Sequence, residues 1–117
     1  DDHFQGITHI MRGSDLLDST PRQIYLQKIL GYSQPQYAHL PVANNELGQK
    51  LSKQNLAAGL PYGQEAINLW VALDWLKQSP PNELRQLTIG HILTWAVDHW
   101  DQTQVPAKLT LTAPEGF

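Results

Sequence analysis

The chain has 117 residues with 11 acidic and 8 basic side chains, a formal net charge of -3, 41% hydrophobic residues and no cysteine. That is enough for one domain with a modest core, and the negative balance excludes a surface that is a nucleic-acid footprint throughout, since such domains are strongly basic. Disulfides and thiolate metal sites are excluded within the chain, in keeping with a reducing compartment, and no apolar run approaches the roughly 20 residues that cross a bilayer.

The opening, DDHFQGITHI, has neither an initiator methionine nor a signal-peptide profile, and reads as the lead-in to a strand cut from a longer chain. From Ile7 to Gly13 a strand is expected, with Thr8, Ile10 and Arg12 on one face and Ile7, His9 and Met11 on the other. A helix follows over LLDSTPRQIYLQKILGY. Thr20 is its N-cap candidate, Pro21 suits the first turn, and Gln23 completes a capping box. Leu26, Ile29 and Leu30 form the expected buried stripe, closed by Gly31 at the C′ position. AHLPVA, Ala38 to Ala43, supplies a second strand, so the segment is a βαβ unit with parallel strands. The strand due beside Ile7–Arg12 would come from upstream sequence, leaving that edge bare and the isolated chain expected to self-associate or to be only marginally stable.

After Lys53 the character becomes helical. Gln64 to Lys77 is apolar nearly all round, which predicts a well-covered helix. Thr88 to Trp100 carries Ile89, Ile92, Leu93, Ala96, Val97 and Trp100 as an amphipathic stripe. A short strand over Lys108–Thr112 precedes a frayed tail. The expected organisation is α/β over residues 1–60 followed by a helical region over 61–117.

Arg12 ends the first strand, where ligands of open α/β sheets collect. It could hold a carboxylate through two parallel hydrogen bonds; the alternative is an ion pair with Asp15 or Asp18. Lys50 and Lys53 follow the second strand and could meet a polyphosphate and stabilise charge developing at phosphorus. In that reading Leu51 anchors the loop and Gly48 lets it move; two solvated lysines are the alternative. No histidine pair has metal-ligand spacing with supporting partners, and of the five only His39 lies beside the expected active edge. Of the four tryptophans, Trp95 alone falls off the apolar stripe and is expected at the surface.

Arg12-Gly13 with Asp15, the run DLLDSTPRQ, HLP at His39 to Pro41 and KLSK at Lys50 to Lys53 occur in an order and spacing that resembles the second half of the catalytic domain of class I glutamyl-tRNA synthetases. Each motif is weak alone; four in register over residues 1 to about 56 are specific. KLSKQN, the short region after it and the tryptophan-to-VP pattern from Trp100 to Pro106 are most similar to the glutamyl-queuosine subfamily, a short branch without an anticodon-binding domain. The resemblance implies a Rossmann-type catalytic domain, its second half here, followed by a small helical C-terminal region. It implies activation of glutamate by ATP, with Mg2+, and transfer to the queuosine of tRNA(Asp), in the cytoplasm and without a membrane partner. By position, Arg12 matches the arginine that contacts the amino acid, and Lys53, with Lys50 and Ser52 beside it, the ATP-binding signature loop. Asp15 matches the acidic residue near the nucleotide pocket. The HIGH-type motif, the other amino-acid contacts and the cysteine-rich zinc site belong to an N-terminal half upstream, so zinc is expected only there and this chain alone is expected to be inactive. A truncated ordinary glutamyl-tRNA synthetase, or a non-catalytic RNA- or protein-binding module derived from one, are the alternatives.

Overall fold

The structure is a computed structural model that describes residues 1–52, 57 and 59–115. Its elements in chain order are β1 (His9–Gly13), α1 (Thr20–Ile29), β2 (Gln36–Leu40), β3 (Val42–Asn44), α2 (Glu65–Trp75), α3 (Ile89–His99) and β4 (Thr110–Thr112), with short 3-10 turns at Ser14–Ser19, Asn82–Gln86 and Gln102–Gln104. The chain divides into two compact units: residues 1–42 with 108–111, and residues 43–107 with 112–117. No helix among the described residues is long and apolar enough to cross a membrane.

In the first unit β1 and β2 pair in parallel, His9 opposite Gln36 through Gly13 opposite Leu40. The 3-10 turn and α1 supply the crossover that parallel pairing requires. Side chains alternate across β1 as expected: Ile10 and Arg12 are half-buried, His9 and Met11 exposed. Gln36 N–H donates to Thr8 O at 2.9 Å, so Thr8, Ile10 and Arg12 turn their backbone groups to β2. His9, Met11 and Gly13 turn theirs to the other edge, which has no neighbouring strand among the described residues.

Two expectations for α1 are corrected. Its N-cap is Ser19, without a side-chain cap bond, and Thr20 is the first helical residue. The Thr20 hydroxyl instead bonds back to Leu16 O at 3.1 Å and to groups on both strands. The stripe Leu26, Ile29 and Leu30 is exposed, at 57%, 63% and 58%; the less exposed face is Thr20, Gln23, Ile24 and Gln27. The reason is local bonding. Thr20 and Gln27 both reach partners on β2, Gln27 Nε2 donating to Tyr37 Oη at 2.8 Å, and this turns the aliphatic stripe outward. The C-terminus is as expected: Gly31, at φ 70°, lets Tyr32 N–H reach Gln27 O and Gly31 N–H reach Lys28 O, a complete Schellman motif. The second strand is split, because Pro41 has no N–H to donate and separates β2 from β3.

In the second unit α2 and α3 pack around Trp70, Leu73 and the fully buried Ile92. Trp70 Nε1 donates to Pro81 O at 2.9 Å, and the Arg85 guanidinium lies 4.4 Å above its ring. The face of α3 is rotated from the expected stripe: Trp95 and Ala96 pack on the core while Leu93 and Val97 are exposed, at 48% and 80%. Trp95 is thus half-buried, and stacks on His99 with ring centroids 4.7 Å apart. The three turns of α3 offer more apolar surface than one partner helix covers, so Ile92, Trp95, Ala96 and Trp100 take the contact and Leu93 and Val97 are left outside.

Buried Gln78 binds the backbone of Asp101 twice, donating Nε2 to its carbonyl at 3.1 Å and accepting its N–H at 2.8 Å. This imitates one rung of a sheet between segments that have no strand. Gln78→Ala leaves both groups without their partner and is expected to lower unfolding stability by about 1–3 kcal/mol, measured by urea denaturation. An unchanged midpoint would mean that water replaces the amide at no cost.

Candidate functional site

Arg12 is the fourth residue of β1, and the parallel register puts His39 directly opposite it. Thr20 opens the crossover helix on the same side. The three meet: Arg12 Nε–H donates to His39 Nε2 at 3.2 Å, Arg12 Nη2–H donates to Thr20 Oγ1 at 2.6 Å, and Thr20 Oγ1 lies 3.0 Å from His39 Nε2. Since the arginine can only donate, His39 Nε2 is an acceptor and carries no proton in this arrangement. The guanidinium also sits 5.1 Å over the Tyr37 ring, which stacks against His39. The ion pair with Asp15 or Asp18 considered above is therefore not what holds Arg12 among the described residues; uncharged groups do.

Asp15 occupies a different place. Its Oδ1 would lie 2.5 Å from a Cβ built on Gly13, so the carboxylate rests over the glycine's bare Cα. Gly13 has φ −65° and ψ 148°, a conformation open to any residue. The glycine serves space here, not backbone freedom. Beside it, Ser14 Oγ donates to Leu109 O, a tie to the segment before β4 within the same unit.

Arg12, Ile7, Ile10, Gln23, Gln27 and Tyr37 are among the residues that line a groove of about 280 Å³ in the first unit. Gln27 Oε1 is buried without a hydrogen-bond partner, and such an acceptor costs about 1–3 kcal/mol until a donor meets it. A fixed guanidinium on this groove suits a ligand carboxylate.

Lys50 and Ser52 belong to the second unit, and Lys53 lies outside the described residues. Lys50 is not on a loose loop. It bridges antiparallel to Asn44, and Leu51 N–H donates to Ala43 O at 2.9 Å. Asn45 builds the turn between them, its Oδ1 accepting from Leu47 N–H at 3.0 Å and Gln49 N–H at 2.9 Å. Gly48, at φ 77°, completes that turn in the left-handed region that favours glycine. Leu51 is the anchor expected, lining an apolar hollow of about 200 Å³ with Leu60, Val71, Ala72 and Trp75. No group of three or more metal-ligating side chains gathers among the described residues.

Sequence reasoning missed Thr20, taken for a cap, Tyr37, placed before the second strand began, and Gln27. The signal was available in the one-to-one alignment of HIMRG against QYAHL that parallel pairing imposes.

The sequence model for class I tRNA synthetases (E and Q), catalytic domain, matches residues 1–64, and the chain belongs to that family. It is similar to curated relatives described as glutamyl-Q tRNA(Asp) synthetase: 51% identical over 111 residues to that of Pseudomonas paraeruginosa, covering 95% of this chain and 38% of the relative. Over all 117 residues it is 49% identical to that of Aromatoleum aromaticum, covering 37% of it, and over 114 residues it is 50% identical to that of Neisseria gonorrhoeae, covering 97% of this chain and 38% of the relative. The chain thus spans less than two-fifths of the length of the curated relatives it matches.

Gly13→Ala is expected to displace the Asp15 carboxylate, the flexible partner in that contact, while leaving the melting temperature nearly unchanged. The side-chain carboxyl chemical shift of Asp15 and a thermal melt measure the two together. A large fall in melting temperature would show that the backbone at Gly13, and not Asp15, had been made to move.

Proposed function

We propose that the polypeptide containing this chain activates glutamate with ATP and transfers the glutamyl group to the queuosine of tRNA(Asp), in the cytoplasm. The observation that carries this is identity of about one half, over nearly the whole chain, to relatives described by that activity. The local structure is compatible with it: β1, α1 and β2 have the parallel βαβ connection that half of a Rossmann-type sheet needs, and a groove lined by the fixed Arg12 guanidinium suits the carboxylate of an amino acid.

In the first step a glutamate carboxylate oxygen attacks the α-phosphorus of ATP and pyrophosphate leaves. In the second a hydroxyl of the queuosine cyclopentenediol attacks the acyl carbon and AMP leaves. Arg12 binds a carboxylate of glutamate. Lys53, with Lys50 and Ser52, meets the polyphosphate, and Asp15 lies near the nucleotide. Magnesium would arrive on the polyphosphate; none of the described residues is assigned to it.

The test is transfer of radiolabelled glutamate by the full-length polypeptide to tRNA(Asp) with and without queuosine. Label on the queuosine-bearing tRNA alone supports the proposal; label on tRNA(Glu) instead would return the protein to ordinary glutamyl-tRNA synthesis. Lys53→Ala should slow glutamate-dependent pyrophosphate exchange by the equivalent of about 2.7–4 kcal/mol, the scale of a lost donor to developing charge, with little change in glutamate affinity. Exchange at an unaltered rate would remove Lys53 from the chemistry. Arg12→Lys keeps the charge but loses the planar fork, so glutamate should bind markedly more weakly while ATP binding holds, as read by calorimetric titration.

A further inference from the structure

An arginine presents two bidentate edges, one formed by Nε–H and Nη2–H and the other by Nη1–H and Nη2–H. In this chain the first edge is fully engaged. Nε–H meets His39 Nε2 and Nη2–H meets Thr20 Oγ1, two acceptors 3.0 Å apart. They take the two protons that a carboxylate would take bidentately, yet neither carries a negative charge. A carboxylate in that place would fix the guanidinium and cancel it; the histidine–hydroxyl pair fixes it and leaves its positive charge intact. The second edge, one Nη1–H beside the other Nη2–H, has no protein partner among the described residues, and Arg12 lines the groove.

We propose that His39 and Thr20 are positioning residues: a neutral clamp that orients Arg12 and keeps its charge for an anionic ligand. The identity of that ligand as glutamate rests on the function proposed above; the clamp itself does not. Three elements bring it together, the ends of β1 and β2 and the first residue of α1, so its geometry is set by the parallel register and not by a flexible loop. Thr20 is fixed in turn, since its hydroxyl also lies 3.1 Å from Leu16 O. The ring of Tyr37, 5.1 Å beneath the guanidinium, limits its tilt without adding negative charge.

The clamp predicts different results from two substitutions of equal size and reach. His39→Gln can return a neutral oxygen to the place of Nε2, whereas His39→Glu returns a charged one. In the full-length polypeptide, His39→Gln should keep the KM for glutamate within about threefold. His39→Glu should hold Arg12 equally well but raise that KM about tenfold or more, because an adjacent opposite charge competes for the guanidinium, with the KM for ATP unchanged in both. Thr20→Ser should behave as the unaltered protein and Thr20→Val should not. Equal glutamate KM in the Gln and Glu variants would overturn the proposal.

A second measurement is independent of activity. The Arg12 Nε–H resonance should exchange slowly with water in the unaltered polypeptide and in His39→Gln, and fast in His39→Leu. Fast exchange in the unaltered protein would also overturn the clamp. If glutamate supports no exchange reaction but Arg12 Nε–H is protected, the functional reading fails and the clamp stands.

Discussion

Two parallel strands end at the same side of their sheet, so the chain cannot turn tightly between them and must travel back along the whole strand length. In the first unit that journey runs from Gly13 to Gln36, and almost everything of chemical interest is a by-product of it. The register it permits sets Arg12 against His39. The helix it needs begins at Thr20, above the same strand ends, and ends on the left-handed Gly31 that sends the chain into β2. A register slip of one residue would turn Arg12 to the opposite face of the sheet, and with it the only guanidinium that the groove contains among the residues described.

What holds that guanidinium is notable for what it does not do. Buried or half-buried cations are usually met by carboxylates, and two were within three and six residues of Arg12 in sequence. The structure spends Asp15 elsewhere, over the bare Cα of Gly13, and leaves the cation with a hydroxyl, an imidazole and an aromatic face. Each of these is a weaker partner than a carboxylate. Together they trade stability for an undiminished charge, the kind of local sacrifice that binding sites make.

Much of this was legible in the sequence and some was not, for identifiable reasons. Strand alternation around Arg12, the Schellman ending at Gly31, the two later helices and the strand near Thr110 all follow from local rules that depend on neighbours in sequence. The direction that α1 faces does not. Its aliphatic residues specify a stripe, but Thr20 and Gln27 find hydrogen-bond partners on β2, and the stripe is left exposed, with Leu26 and Leu30 along the groove beside Ile10. Trp95 was misjudged for the same kind of reason: a stripe drawn through the aliphatic positions of α3 ignored that an indole reaches further than a valine. The turn after β3 was read from its glycine alone, whereas Asn45, three residues earlier, also shapes it through two backbone N–H groups. At the site, Arg12 and His39 could both be placed near the strand ends; that they touch required the register, and that Thr20 joins them required knowing it was not a cap.

The distribution of aromatic residues has an optical consequence. All four tryptophans, Trp70, Trp75, Trp95 and Trp100, belong to the second unit, while Tyr25, Tyr32 and Tyr37 belong to the first. Trp70 carries a cation over its face and Trp95 a histidine ring, so their emission is sensitive to the packing of α2 against α3. Red-edge excitation, where tyrosine is dark, therefore watches one unit alone. A loss of order around Arg12 would pass unseen in tryptophan emission, and the first unit must be followed through its backbone amides or its tyrosines.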